Sequence, residues 1–301
     1  MDRFESMSVL VTAVEAGSLS AAARRLATPL ATVSRKVAEL EAHLNTRLLN
    51  RTSRRLMLTE AGQSYVAACR RILEEVGEAE RTARGEYSTP KGELLITAPI
   101  VLGRLSVLPV VAEFLGAHPD IDVRMILTDG LMKLVEDQVD LAVRIGSLPD
   151  SSLVATRIGS IRRVVCGSPA YFAERGIPKR PEDLVAHSCI THEGLMSADL
   201  WTFGPSHSAQ SVPIRSRLVV NTAEAAVDAA IAGVGVTRVL SYQVANAVQK
   251  GVLVMALRGF EPPPSPVSLV HGGGRFLPLK VRAFLDFAAP KLKAVLLQDA
   301  L

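Results

Sequence analysis

The sequence predicts an α/β protein in two unequal parts: a small helical head, then, beyond one long helix, a larger body of alternating strands and helices. Three observations predict it. Apolar residues recur at helical spacing up to about residue 85, strand-like and helix-like segments alternate from Glu93 onward, and Ser88-Thr89-Pro90-Lys91-Gly92 breaks the chain between the two regimes. A chain of 301 residues has room for about two domains, each able to bury a core without disulfides or metal. The three cysteines, Cys69, Cys166 and Cys189, are far apart and outside any Cys-x-x-Cys spacing, which predicts packing thiols in a reducing compartment. Asp2, Glu5 and Glu15 interrupt the first apolar positions, so neither a leader nor a membrane span is predicted, and a soluble cytoplasmic protein is expected.

In the head, Phe4, Met7, Leu10, Val11 and Val14 predict a helix over residues 3–16, stopped by Gly17 in a left-handed turn. Ser18 is placed to cap a short second helix, Leu19 to Leu26, whose Ala21, Ala22 and Ala23 permit a close crossing. Thr28 is expected as the next N-cap and Pro29 as the first residue of a third helix reaching about Leu44. Val33, Val37, Leu40 and Leu44 form its inner face. The opposite face carries Ala31, Arg35, Ala38 and Ala42, with Thr32, Ser34 and Glu39 at its margins. Small side chains let such a helix approach base edges in a major groove, where Thr, Ser and Arg supply hydrogen bonds; an exposed alanine-rich helix explains the same pattern if the helix stands alone.

The net charge of +4 is small, but residues 24–55 hold eight Lys or Arg against two Glu. That local excess suits phosphates, an ordinary solvated surface being the alternative. Asn45 offers a left-handed exit, and Leu48, Leu49, Leu56 and Leu58 flank Asn50 to Arg55 as in a hairpin. Such a wing presents Arg51, Arg54 and Arg55 to the sugar-phosphate backbone or to a narrow minor groove.

The run from Ser18 to Gly62, SLSAAARRLATPLATVSRKVAELEAHLNTRLLNRTSRRLMLTEAG, closely resembles the DNA-binding segment of LysR-type transcriptional regulators. The resemblance covers the alanine-rich second helix, the Val-Ser-Arg of the third, the Leu-Glu at residues 40 and 41, and the Leu-Thr-x-Ala-Gly closing the wing. It implies a winged helix-turn-helix in which Thr32, Ser34 and Arg35 contact bases or phosphates. Ser18, Thr28, Leu30, Ala31, Lys36 and the wing's Arg51, Arg54 and Arg55 complete the candidate DNA-binding set. Where many members have Gln or Ser early in the recognition helix, this chain has Pro29 and Leu30.

Thr59 and Glu60 open a long helix that meets no proline before about Gly85. Val66, Cys69, Leu73, Val76 and Ala83 follow a three-four repeat, either a seam for a second copy or the inner face of a helix in one chain. The resemblance implies paired linker helices, hence a homodimer, and a homotetramer of two dimers.

In the body the pattern predicts strands at Leu94 to Thr97, Ile121 to Thr128, Leu141 to Ile145, Val164 to Cys166, Cys189 to His192, Leu218 to Val220 and Val267 to Val270. Helices are predicted at Arg104 to Gly116, Leu131 to Asp137, Pro169 to Arg175, Ala223 to Ala232 and Pro278 to Leu292, and the alternation predicts parallel sheets. This half resembles the effector-binding domain of the same family, itself similar to type II periplasmic solute-binding proteins. The expected divisions are a winged helix-turn-helix at 1–59, a linker helix and hinge at 60–91, and an effector domain at 92–301. Its lobe 1 is expected at about 92–161 and 267–301, its lobe 2 at about 162–266.

In such a fold a ligand sits between lobes, where strand ends meet helix N-termini. The resemblance implies that Ala98, Pro99, Ile100, Val101, Thr128, Arg144, Ile145, Gly146, Thr191, His192, Asn221, Thr222 and Thr237 line it. His192 is equally read as a buried, hydrogen-bonded histidine. The six histidines form no His-x-x-x-His pair, no Gly-Lys-Ser or Gly-Lys-Thr loop occurs, and Asp150-Ser151-Ser152 is no nucleophile elbow. No enzyme, cofactor or metal site is predicted. The expected partners are double-stranded promoter DNA and a small organic acid or aromatic effector, with RNA polymerase a further candidate. A solute-binding transport component would leave the basic head without purpose, and an enzyme of this fold would need a catalytic constellation that the sequence lacks.

Overall fold

A computed structural model of the chain describes residues 2–51, 56–83, 89–130, 134, 139–148, 153–192, 200–272 and 277–298. These fall into two compact units, Met1–Thr89 and Pro90–Leu301.

In the first unit, α1 (Arg3–Glu15) is capped by Asp2, and Gly17 turns the chain at φ +74°. Ser18 Oγ accepts the Ala21 N–H at 3.1 Å and opens α2 (Leu19–Arg25). The expected cap of the third helix is corrected by one residue: α3 spans Leu30–Leu44, with Pro29 as its uncapped entry. Ala27 takes a left-handed conformation, and the Thr28 hydroxyl turns back to donate to Leu26 O at 3.0 Å, so it cannot serve α3. Asn45 makes the expected left-handed exit at φ +48°. Strands β1 (Leu49–Arg51) and β2 (Leu56–Leu58) pair antiparallel, Leu49 opposite Leu58 and Arg51 opposite Leu56.

Leu10, Ala13, Ala22, Val33, Val37, Leu40 and Leu48 close the core of this unit. Three contacts tie the hairpin to it. Glu41 Oε1 accepts the N–H groups of Leu48 and Leu49 at 2.8 and 3.0 Å. Thr59 donates to Arg47 O at 2.7 Å while accepting the Gly62 N–H at 2.9 Å, which caps α4 (Glu60–Ala83). A side chain at position 62 would put Cβ 2.0 Å from Leu48 O, so only glycine lets α4 start against the hairpin. Helix α4 packs on α1, and here the inner-face alternative holds for part of the expected seam: Val66 and Cys69 are buried in the head's own core, with Leu73 against it. Those side chains are spent within one chain.

The second unit holds two five-stranded sheets. One, ordered β4-β3-β5-β14-β6, contains β3 (Gly92–Ala98), β4 (Ile121–Leu127), β5 (Leu141–Ile145), β6 (Leu153–Ile161) and β14 (Ser265–Gly272). The other, ordered β11-β8-β12-β7-β13, contains β7 (Arg163–Gly167), β8 (Ser188–His192), β11 (Arg215–Val220), β12 (Val236–Leu240) and β13 (Val254–Ala256). Each sheet is mixed rather than parallel: β3 runs parallel to β4 and β5, but β14 runs antiparallel to β5 and β6, and β7 antiparallel to β12 and β13. The reason is the double crossing. The chain leaves the first sheet through Arg162, between β6 and β7, and returns before β14, so the strand beside each crossing runs against its neighbours.

The first helix of this unit begins earlier than expected, at Ile100. It runs as α5 (Ile100–Leu102), a π-turn (Gly103–Val107) and α6 (Leu108–Ala117). Its 18 residues are apolar enough to cross a membrane by length and composition, yet Val101, Leu102, Val107, Val110, Val111 and Phe114 lie in the first lobe's core. Phe114 meets Phe284 edge-on at 5.0 Å, on α10 (Leu279–Gln298). The expected helix over Leu131 to Asp137 lies outside the described residues except for Leu134, which is buried. The second sheet is flanked by α7 (Pro169–Arg175), α8 (Ala223–Ile231) and α9 (Ser241–Gln249), and one face is covered by the hairpin β9 (Leu200–Phe203) and β10 (Gln210–Pro213).

Candidate nucleic-acid interface and effector cleft

On α3 the expected division of faces is explicit. Val33, Val37 and Leu40 are fully buried, while Ala31, Arg35, Ala38 and Ala42 are exposed and Thr32 and Ser34 half-buried beside them. Leu30 opens the helix half-exposed. The Arg35 side chain is 63% exposed and pairs with Glu39 at 2.6 Å. An exposed pair one helical turn apart contributes only about 0.3–0.5 kcal/mol, so a phosphate or guanine edge can displace the carboxylate. Lys36 differs. Its side chain is 15% exposed and pairs with Glu5 on α1, which makes it part of the helix packing rather than a free cation. Ser18 and Thr28 are half-buried and engaged in local turns, as described above. Arg51 ends β1; Arg54 and Arg55 lie outside the described residues.

In the second unit the candidate effector residues, Thr237 apart, lie at the ends of β3, β4, β5, β8 and β11 or in the first turns of α5 and α8. Thr128 N–H donates to Ala98 O at 3.0 Å, and Asp129 Oδ1 accepts the Ile100 N–H at 3.1 Å, satisfying the first turn of α5. Pro99, Ile100 and Thr128 are half-buried at this edge. Ala98 and Val101 point into the first lobe's core instead, Val101 because the helix starts before it. Arg144 and Ile145 pair with Ser268 and Val267 of β14, and Gly146, at φ +107°, donates to Pro266 O at 2.8 Å. Burial pushes the Arg144 guanidinium below its ordinary value.

On the opposing lobe His192 is buried and its Nε2 meets Asn221 O at 3.1 Å, so the hydrogen-bonded reading of that residue applies. Thr222 Oγ1 accepts the Ala225 N–H at 3.3 Å and caps α8, while Asn221 is exposed. Thr191 bonds Ser216 Oγ at 2.6 Å, and Thr237, fully buried, donates to Ile190 O at 3.2 Å. Both hydroxyls are used inside the sheet.

Three residues that sequence reasoning passed over join the lobes. Arg104, at the π-turn, lies 4.0 Å from Glu224 in the first turn of α8. Tyr242 of α9 is buried together with Ala223 and Leu240 against the first lobe's core. Burial, then the nearby Asp129 carboxylate, pushes the Tyr242 hydroxyl well above its ordinary value. No local pattern marks such partners, because each pair is more than a hundred residues apart in sequence. The Arg104–Glu224 contact thus brings the start of the first lobe's helix, after Ile100, near the start of α8, which Asn221 and Thr222 precede.

Comparison with known proteins agrees with this arrangement. The family described as "Bacterial regulatory helix-turn-helix protein, lysR family" matches residues 4–63, and "LysR substrate binding domain" matches residues 88–293. An HTH-type transcriptional regulator of Xanthomonas campestris pv. campestris is 37% identical over 288 residues, covering 94% of this chain and 84% of that one. The structure of CrgA, a LysR-type transcriptional regulator from Neisseria meningitidis, is similar with a TM-score of 0.61 at 31% identity, covering 96% of this chain and 98% of that one. The full-length Vibrio cholerae virulence activator AphB aligns with a TM-score of 0.60 at 27% identity, over 95% and 98% of the two chains. With a helix-turn-helix at one end and a two-lobed effector-binding domain at the other, the chain belongs to the LysR family of DNA-binding transcriptional regulators.

Proposed function

We propose that α3 enters the major groove of promoter DNA on the side bearing Ala31, Arg35, Ala38 and Ala42, with Thr32 and Ser34 adding contacts. The observation that carries this reading is that the small residues and Arg35 are exposed together while the apolar residues between them are fully buried. Leu30 meets a base edge or methyl group, Ser18 and Thr28 lie toward the phosphates, and Arg51, Arg54 and Arg55 reach the flanking backbone or minor groove. Lys36 acts by holding α3 to α1.

Residues 1–59 are the DNA-binding part, 60–91 the linker and 92–301 the effector-binding part. The linker pairs two chains through the side of α4 bearing Ala68, Ile72 and Val76, which is not fully buried in the head, and two dimers form a tetramer. A small organic acid or aromatic compound closes the cleft between Thr128 and Asn221. Closure shifts the balance between two arrangements of paired heads, which requires different effector affinities in the two. The protein works in the cytoplasm, where its DNA is, with RNA polymerase as a further partner.

Anisotropy titration of the full chain against DNA from upstream of its own gene tests this. A series of salt concentrations should give log affinity falling linearly with log salt, with a slope of about −0.9 for each phosphate neutralised. Binding that ignores salt, or that is equal for scrambled DNA, contradicts it.

A further inference from the structure

Arg238 on β12 and Arg163 on β7 lie on the same face of the second lobe's sheet, since Arg238 stands opposite Val165 and Leu240 opposite Arg163. That face is covered by the β9–β10 hairpin, whose Trp201 and Phe203 turn inward. Arg238 is 7% exposed. Its Nη2 donates to Thr202 O, and its guanidinium carbon lies 4.8 Å from the centre of the Phe203 ring. Burial, with Arg163 nearby, pushes its pKa down to about 10, and burial lowers that of Arg163 as well. Among the described residues neither arginine makes an ion pair within 4.0 Å.

The orphaned donors point the same way. Among the described residues, three buried side-chain nitrogens or oxygens have no partner: Arg238 Nε, Trp201 Nε1 and Arg162 Nη2. All three are N–H donors. Trp201 precedes the residue that Arg238 reaches, and Arg162 precedes Arg163. Arg162 spends only Nη1 on Glu261, at 3.1 and 3.4 Å, and Phe260, just before Glu261, accepts the N–H of Gly204 at the end of β9. Arg163 and Arg238 thus share the hairpin-covered face with no carboxylate among the described residues paired to either, while Arg162, just before Arg163, is paired with Glu261. Buried cations and orphaned donors each cost free energy, and one ligand relieves both: an acceptor of negative charge with several oxygens.

We propose that the hairpin-covered face of the second lobe binds a small oxyanion between Arg163 and Arg238, with the Trp201 indole N–H as a further donor. The half-buried Arg163 gives the anion its way in. The site is separate from the cleft: Thr237, the cleft candidate nearest in sequence, turns its hydroxyl to Ile190 O, and its ladder partner is Cys166 rather than Val165. It stands whichever molecule fills the cleft.

Trp201 is the chain's one tryptophan, so its emission reads this site without interference from the basic head. The full chain is titrated with inorganic phosphate, and separately with succinate, at constant ionic strength against sodium chloride. A saturable change in emission with either oxyanion, accompanied by a rise in unfolding temperature that chloride does not match, is the expected result; the tighter binder distinguishes phosphate from carboxylate chemistry. Arg238→Gln and Arg163→Gln should each weaken it by about tenfold or more. Arg163→Gln, at the less buried position, keeps the test open if Arg238→Gln does not fold. A response no larger than that of chloride for both oxyanions, or one unchanged in the folded variants, overturns the proposal.

Discussion

One carboxylate, Glu41, joins α3 to the hairpin by accepting two backbone N–H groups, Leu48 and Leu49. The Leu-Glu pair was legible in the sequence only as part of a family likeness; the structure supplies its physical reason, and also that of Gly62, which meets Leu48 O from the other side. Glu41→Ala leaves both donors short of a partner and should cost about 1–3 kcal/mol of stability in urea unfolding, whereas Glu41→Gln, which keeps an acceptor oxygen, should cost less. Equal losses would mean that the bonds contribute nothing beyond packing. His187 offers a pH test. Burial holds its imidazole below the ordinary 6.5, and its Nδ1 lies 3.3 Å from the Tyr171 hydroxyl. A histidine whose folded pKa is depressed contributes stability that is full above 6.5 and declines as pH falls from there toward the folded value. The parent should therefore lose more stability between pH 7.5 and 5.5 than His187→Gln, measured by urea midpoints at both pH values. The cysteines behave as the packing thiols expected from their spacing: all three are buried, and Cys166 and Cys189 are pushed up to about 12 by burial.

At the scale of elements, helical periodicity located the head well because its helices bury one face each: α1, α2 and α3 end within a residue or two of their expected limits. The errors arose where two partners compete for one residue. Thr28 suits an N-cap, but the left-handed Ala27 aims its hydroxyl at Leu26 O. The three-four repeat of α4 suits a coiled-coil seam, but α1 of the same chain takes Val66 and Cys69 first. Ile72→Asp, on the side proposed for a second copy, should convert dimers to monomers in sedimentation while the head keeps its melting behaviour. Cys69→Ser should do the reverse. Dimers that survive Ile72→Asp would place the interface elsewhere. In the body, edge strands such as β6 and β13, and the β9–β10 hairpin, escaped notice because pairing partners distant in sequence, not local patterning, make them strands.

For the whole molecule, the sequence announced two α/β lobes but not what joins them. Arg104 and Glu224, Tyr242 against the first lobe's core, and Arg162 with Glu261 at the crossings are all long-range pairs. Under the proposed mechanism these are the contacts that lobe closure would make or break. In the proposed reading all regulation nonetheless passes through one surface, the exposed side of α3. The decisive measurement is the affinity of the parent and of Arg35→Ala for operator and for scrambled DNA at physiological salt. The account predicts that Arg35→Ala binds operator at least about tenfold more weakly, a loss of about 1–3 kcal/mol, with scrambled DNA much less affected. Parent-like operator binding by Arg35→Ala would contradict it.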